Sequence, residues 1–112
     1  QFHRLVGFDH FYVYDNSLAH NTTQDLSRAL ESFGPDVVTR IAWPFRVCNN
    51  NAPVTRDSLE RNGGERSSQY AADNSCRSRY GSYTEWMATF DTDEYLVPMG
   101  NYTDLKDVLK KA

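Results

Sequence analysis

Two β-like runs flank one amphipathic helix in the first third of the chain, and that order restricts the fold more than any other feature. Phe8 to Tyr14 (FDHFYVY) is rich in aromatic residues and valine, which suit a pleated, half-buried surface, so it reads as a strand. Leu26, Ala29, Leu30 and Phe33 then fall at i, i+3, i+4 and i+7, a single apolar stripe along a helix. Asn21, Thr22 or Thr23 caps its start, and Gly34-Pro35 ends it. Val37 to Trp43 (VVTRIAW) is a second strand, stopped by Pro44. Strand, helix, strand at this spacing is a right-handed crossover, and it requires parallel strands in one sheet.

The remaining elements are placed around that unit. Gln1 to Val6 reads as the tail of a helix closed by Gly7 in the left-handed C′ position. Cys48 to Glu65 is polar and carries Pro53 and Gly63-Gly64, so a long surface loop is expected there. Ser67 or Ser68 caps a helix running to about Tyr80, with Gly81 as its stop. The apolar face of that helix is thin (Tyr70, Ala71 or Ala72, Cys76, Tyr80), which fits a helix lying partly exposed or along a cleft. Trp86 to Phe90 is expected to be a third strand, with Trp43 and Trp86 as core anchors. Thr103 or Asp104 opens a final short helix through Leu105, Val108 and Leu109, and Lys110 and Lys111 sit at its negative end. The expected fold class is therefore α/β, a mainly parallel sheet with flanking helices, with ligands beyond the carboxyl ends of the strands. No internal repeat or domain boundary interrupts residues 1–112, which read as a single domain.

Charge and composition exclude several classes of partner. A net charge of −3 with no Lys/Arg-rich block argues against nucleic acid or an anionic membrane surface. No apolar run approaches the roughly 18 residues of a membrane span, and the segment at Gln1 does not resemble a signal peptide. Cys48 and Cys76 form no zinc-type spacing, and their pairing is left open by the sequence. Asn21-Thr-Thr23 and Asn101-Tyr-Thr103 fit the N-glycosylation acceptor pattern, which points towards a secretory compartment.

The chemistry concentrates in Trp86-Met-Ala-Thr-Phe-Asp-Thr-Asp-Glu-Tyr-Leu-Val-Pro98. An apolar run turns acidic at Asp91, Asp93 and Glu94, becomes apolar again and stops at a proline. In an extended segment Asp91 and Asp93 share a face and Glu94 takes the other, which gives Glu94 a supporting rather than catalytic role. Two carboxylates at the mouth of an apolar strand call for a neutralising partner. A hard divalent cation that also holds a phosphate answers that need, because carboxylate and phosphate oxygens together suit Mg²⁺ or Mn²⁺. Asp15-Asn16 forms a second polar site at a strand end, and the two sites are expected at the same edge of the sheet. Arg79, on the helix before the acidic stretch with Gln69 and Asn74, is a candidate to reach a phosphate. His10 is expected to be packed and hydrogen-bonded within its strand.

Four blocks taken together resemble glycosyltransferase family 92: Gly7-Phe-Asp-His-Phe-Tyr-Val-Tyr-Asp-Asn-Ser17, Trp43-Pro44, Gln69-x-x-Ala72-x-x-x-Cys76-x-x-Arg79, and Trp86 with Asp91-Thr-Asp-Glu-Tyr-Leu-Val-Pro98. The resemblance implies a partial GT-A fold, the α/β domain of enzymes that bind nucleotide-diphosphosugars. It implies a UDP-sugar donor, a glycan acceptor, transfer of a hexose such as galactose with inversion, and a Golgi type II membrane protein whose anchor lies outside this chain. By position, Asp91 and Asp93 correspond to the acids that hold Mn²⁺ (or Mg²⁺) against the donor diphosphate, and Asp15, with Asn16 beside it, to the nucleoside site. The family's first strand and its acceptor half have no counterpart in the chain, so a truncated donor-binding part is expected and no catalytic base is named. The Cys48–Glu65 stretch is longer than the family pattern. A non-catalytic α/β remnant or interaction domain is the alternative. A phosphotransferase built on the same acids is weaker, because no Gly-rich phosphate loop is present.

Overall fold

A computed structural model describes residues 1–17, 26–44 and 65–111, with the side chains of residues 65–67 left aside. The expected crossover unit is present. Strand β1 (Phe11–Asp15) and strand β2 (Val38–Ala42) pair in parallel, from Phe11 opposite Val38 to Asp15 opposite Ala42. One further backbone bond extends the ladder at each end, from Phe11 N–H to the Val37 carbonyl and from Trp43 N–H to the Asp15 carbonyl, both 2.8 Å. Helix α1 (Phe2–Leu5) precedes the unit, and helix α2 (Ser27–Glu31) lies between its strands. The crossover helix is shorter than its apolar stripe. Its last turn tightens as Phe33 N–H reaches the Leu30 carbonyl and Gly34 N–H the Glu31 carbonyl. Gly34 then takes the left-handed conformation, φ 74°, that ends the helix. The cap predicted at residues 21–23 lies outside the described residues, as does the loop predicted over Cys48–Glu65 apart from Glu65 itself, which already belongs to a helix.

Period-two alternation divides the side chains of the sheet between two faces. Phe11, Val13 and Asp15 share one face with Val38, Arg40 and Ala42; Tyr12 and Tyr14 share the other with Thr39 and Ile41. Helix α2 covers the first face, where the Arg40 guanidinium donates to the Ser27 hydroxyl at 2.6 Å. A cleft of about 290 Å³ lies between Leu30, Gly34, Pro35 and Val38. Helix α3 (Glu65–Tyr80) covers the second face. Its attachment is made by aromatic residues with polar tips, which suit a half-wet seam. The Tyr12 ring stacks on Tyr80 at 4.0 Å between centroids. The Tyr14 hydroxyl donates to Ser75 Oγ at 3.0 Å, and the Trp43 indole N–H donates to the Ser68 carbonyl at 3.1 Å. Ser68 and Ala72, one turn apart, are the buried positions among the described side chains of this helix. Of the thin apolar face predicted for it, Ala72 is buried and Tyr80 packs on the sheet, whereas Tyr70 is 65 % exposed. Helices on both faces of a parallel pair confirm the α/β class.

The final helix, α4 (Leu105–Leu109), returns to the start of the chain. Asp104 caps it by accepting the Lys106 N–H at 2.7 Å, and the Leu105 N–H donates to the Val6 carbonyl at 2.9 Å. Gly7 makes that approach possible. Its φ is +106°, and a Cβ there would lie 2.2 Å from an Asp104 carboxylate oxygen. Asp9 and Lys106 pair across the same seam at 2.5 Å.

Two expectations are corrected. Trp86 to Phe90 is not a strand but an irregular segment joined to α3 through a short 3₁₀ turn, Gly81–Tyr83. A strand is defined by its hydrogen-bond ladder, and the two-stranded sheet gives none to this segment. Trp86 accordingly is no core anchor, at 58 % exposure, whereas Trp43 is half-buried and tied to α3.

Candidate functional site

Asp15 closes β1 and is 4 % exposed. A carboxylate so deep must be compensated. One oxygen, Oδ1, accepts the Ser17 N–H at 2.9 Å, an Asx-type turn that starts the loop after the strand. The other, Oδ2, accepts from Arg40 Nε at 2.9 Å and from its terminal nitrogen at 2.5 Å. Burial alone pushes the carboxyl up, but Ser17 and the Arg40 guanidinium outweigh it and hold its pKa below the ordinary value. Both Asp15 oxygens are thus engaged by the protein itself, and the neighbouring Asn16 is half-buried. Arg40 was not singled out by the sequence reading. The available signal was a lone cation within an otherwise neutral strand, two residues short of the strand end in a parallel pair.

Asp91 and Asp93 stand on a turn rather than an extended strand. The Glu94 N–H donates to the Asp91 carbonyl at 3.0 Å, and the Glu94 carboxylate accepts the Asp91 N–H at 2.9 Å. The second of these bonds is half of a capping box, with the acid three residues on reaching back to the first N–H, while a backbone carbonyl takes the place of the capping side chain. The alternation expected of an extended segment therefore does not apply. Glu94 turns back onto Asp91 and fixes the shape of the turn, while Asp91 and Asp93 are exposed.

Aromatic packing holds this acidic turn at both ends. Phe90, before it, and Tyr95, after it, both pack on His3, at 4.4 Å and 5.7 Å between ring centroids. Phe8 packs on both His3 and Phe90, and Phe2 on Tyr95. The Leu96 N–H donates to His3 Nε2 at 3.4 Å. His3 is therefore the centre of the cluster that docks the acidic turn on α1. His10 behaves as expected, with its ring nitrogens 3.0 Å from the Asp36 carbonyl and 2.8 Å from Thr39 Oγ1.

Helix α3 joins the two acidic positions. The Asp15 carbonyl holds Trp43, the Trp43 indole holds Ser68, and Gln69, the next residue, donates its carboxamide N–H to Asp91 Oδ1 at 3.3 Å. The carboxyl end of β1 and the acidic turn thus both adjoin the first turns of one helix. One turn beyond Gln69, Asp73 also feels the turn. Burial raises its pKa, Arg77 opposes that, and the charge of Asp91 adds to it. Arg79 is elsewhere. It lies ten residues beyond Gln69, about 15 Å along the helix axis, at the end where Tyr80 stacks on Tyr12. The structure does not bring Arg79 to the acids. Cys76 is a half-buried free thiol whose pKa is raised, first by burial and then by Asp73.

Among the described residues, no group of three or more His, Cys, Asp or Glu side chains is gathered as a metal cage. Asp91 and Asp93 are exposed carboxylates on one turn. Exposed hard-oxygen donors on a fixed turn suit a Mg²⁺- or Mn²⁺-type ion that takes the rest of its shell from water and substrate phosphate. Among the described residues no helix is long and apolar enough to cross a membrane.

The model of glycosyltransferase family 92 fits residues 1–112, the whole chain. Neither the curated proteins nor the solved structures return a match.

Proposed function

The chain belongs to glycosyltransferase family 92, and from that premise we propose that it is the donor-binding part of an enzyme that moves a hexose from a UDP-sugar to a glycan acceptor. A sugar donor and a glycan acceptor follow from the family. The UDP carrier, galactose as the sugar, inversion, Mn²⁺ or Mg²⁺, a GT-A fold and a Golgi location are the finer parts of the proposal.

One observation carries it: Asp91 and Asp93 are exposed on a turn already shaped by Glu94 and docked against α3 and α1. Asp91 and Asp93 would hold the cation, leaving its remaining positions to the donor diphosphate. When bound, the cation supplies a positive charge that stabilises the negative charge gathering on the diphosphate as the glycosidic bond breaks. The chain's own contribution is to hold the turn that carries both carboxylates in place before the substrate arrives, so that less reorganisation remains at the moment of reaction. Asp15 contributes at the neighbouring strand end. With both its oxygens engaged by Ser17 and Arg40, it would shape the loop that contacts the nucleoside through Asn16 and the backbone of that turn.

The test is thermal unfolding of the full chain with millimolar Mn²⁺ and UDP. Ligand that binds only the folded state at about a hundred times its Kd stabilises by about 2.7 kcal/mol. The expected result is a rise of about 11 °C for a domain of this size with both ligands present, abolished in Asp93→Ala. A melting temperature that does not respond to Mn²⁺ and UDP counts against the proposal.

A further inference from the structure

The contact between α3 and the acidic turn assigns a task to a residue that has none so far. We infer that Gln69 is a positioning residue for Asp91, holding one carboxylate oxygen so that the other faces the bound cation. The inference rests on the donor-site reading given above.

Three features support it. Gln69 follows Ser68, which is 2 % exposed and holds the Trp43 indole through its carbonyl, so the backbone beneath Gln69 is fixed to the sheet end. Its carboxamide is a neutral donor. It orients Asp91 Oδ1 at 3.3 Å without supplying a positive charge that would compete with a cation. The backbone of the turn is fixed separately, since Glu94 binds the Asp91 N–H and leaves the Asp91 carboxylate free to be oriented by Gln69. Carboxylates that ligate metals are commonly held by such outer hydrogen bonds, and their loss weakens metal binding by roughly 10–100-fold. The contact here is exposed and long, which places the expected effect at the lower limit.

The experiment titrates Mn²⁺ into the full chain at saturating UDP and compares wild type, Gln69→Ala, Gln69→Asn and Asp93→Asn. Asn keeps the amide but is one methylene too short to reach Asp91. Both Gln69 variants are expected to need about tenfold more Mn²⁺ for half-saturation. Their melting temperatures without ligand should match wild type, because Gln69 is exposed. Asp93→Asn should lose saturable binding. If wild type itself shows no saturable Mn²⁺ binding, the donor-site reading fails and this inference fails with it. If wild type saturates and Asp93→Asn does not, but the Gln69 variants stay within twofold of wild type, the inference alone is overturned. It is also overturned if their Mn²⁺ affinity falls only in step with a lower melting temperature without ligand.

Discussion

Replacing Arg40 by methionine removes the guanidinium from Asp15 while keeping an apolar stem of similar length. Asp15 is left with Ser17 and a charge at 4 % exposure. Removing one partner of a buried pair typically costs 3–5 kcal/mol. The Arg40 side chain is 37 % exposed, however, and water screens its share of the interaction. The expected loss is therefore about 2 kcal/mol, or a melting temperature lower by about 8 °C for a domain of this size. The pH dependence has a definite sign. The pKa of folded Asp15 lies below its ordinary 3.8, so the pair contributes fully above that value and its contribution is lost as pH falls through the folded pKa. The deficit of Arg40→Met should thus be largest at neutral pH and shrink below about pH 4. Urea denaturation of both proteins at pH 7 and pH 3 measures it. A deficit below about 0.5 kcal/mol at pH 7, or one just as large at pH 3, refutes the assignment of this pair as the compensation for a buried carboxylate.

Gly7→Ala should destabilise by about 2–3 kcal/mol, because the added Cβ meets Asp104 at 2.2 Å and φ is +106°; an unchanged circular-dichroism melting curve would show that α1 and α4 do not pack this way. Trp43→Phe keeps the ring but loses the indole donor to the Ser68 carbonyl, and should cost about 1 kcal/mol by chemical denaturation. Amide exchange in the first turns of α3 should quicken in the same variant, and unaltered protection there would mean that Trp43 does not tether the helix.

Much of the fold could be read from the sequence because it is local. The stripe from Leu26 to Phe33 and the β-rich runs on either side required a parallel pair, and β1 and β2 pair in that sense. Gly7 and Gly34 were visible as helix ends and take positive φ. The third strand was not legible in the same way. The composition of Trp86 to Phe90 suits a strand, but composition does not supply a pairing edge, and Trp86 is exposed instead of anchoring a core. The acidic positions were legible as residues and not as geometry. Spacing alone made Asp91 and Asp93 neighbours on one face of a strand, whereas a hydrogen bond from a residue three positions on folds them into a turn. The partners of the site come from distant sequence. Arg40 is 25 residues from Asp15, Gln69 is 22 from Asp91, and the ring of His3 touches residues some ninety positions away. Such pairings are set by packing, and no local periodicity announces them.

Paramagnetic broadening by Mn²⁺ tests the central claim at the level of individual residues. In a two-dimensional amide spectrum of the full chain with UDP, substoichiometric Mn²⁺ should first erase the signals of Asp91 to Glu94, together with Gln69 and Asp73 across the seam. Signals near Arg79 and in α4 should persist. Broadening centred elsewhere, or an even loss across the spectrum, would mean that these two aspartates do not hold the cation.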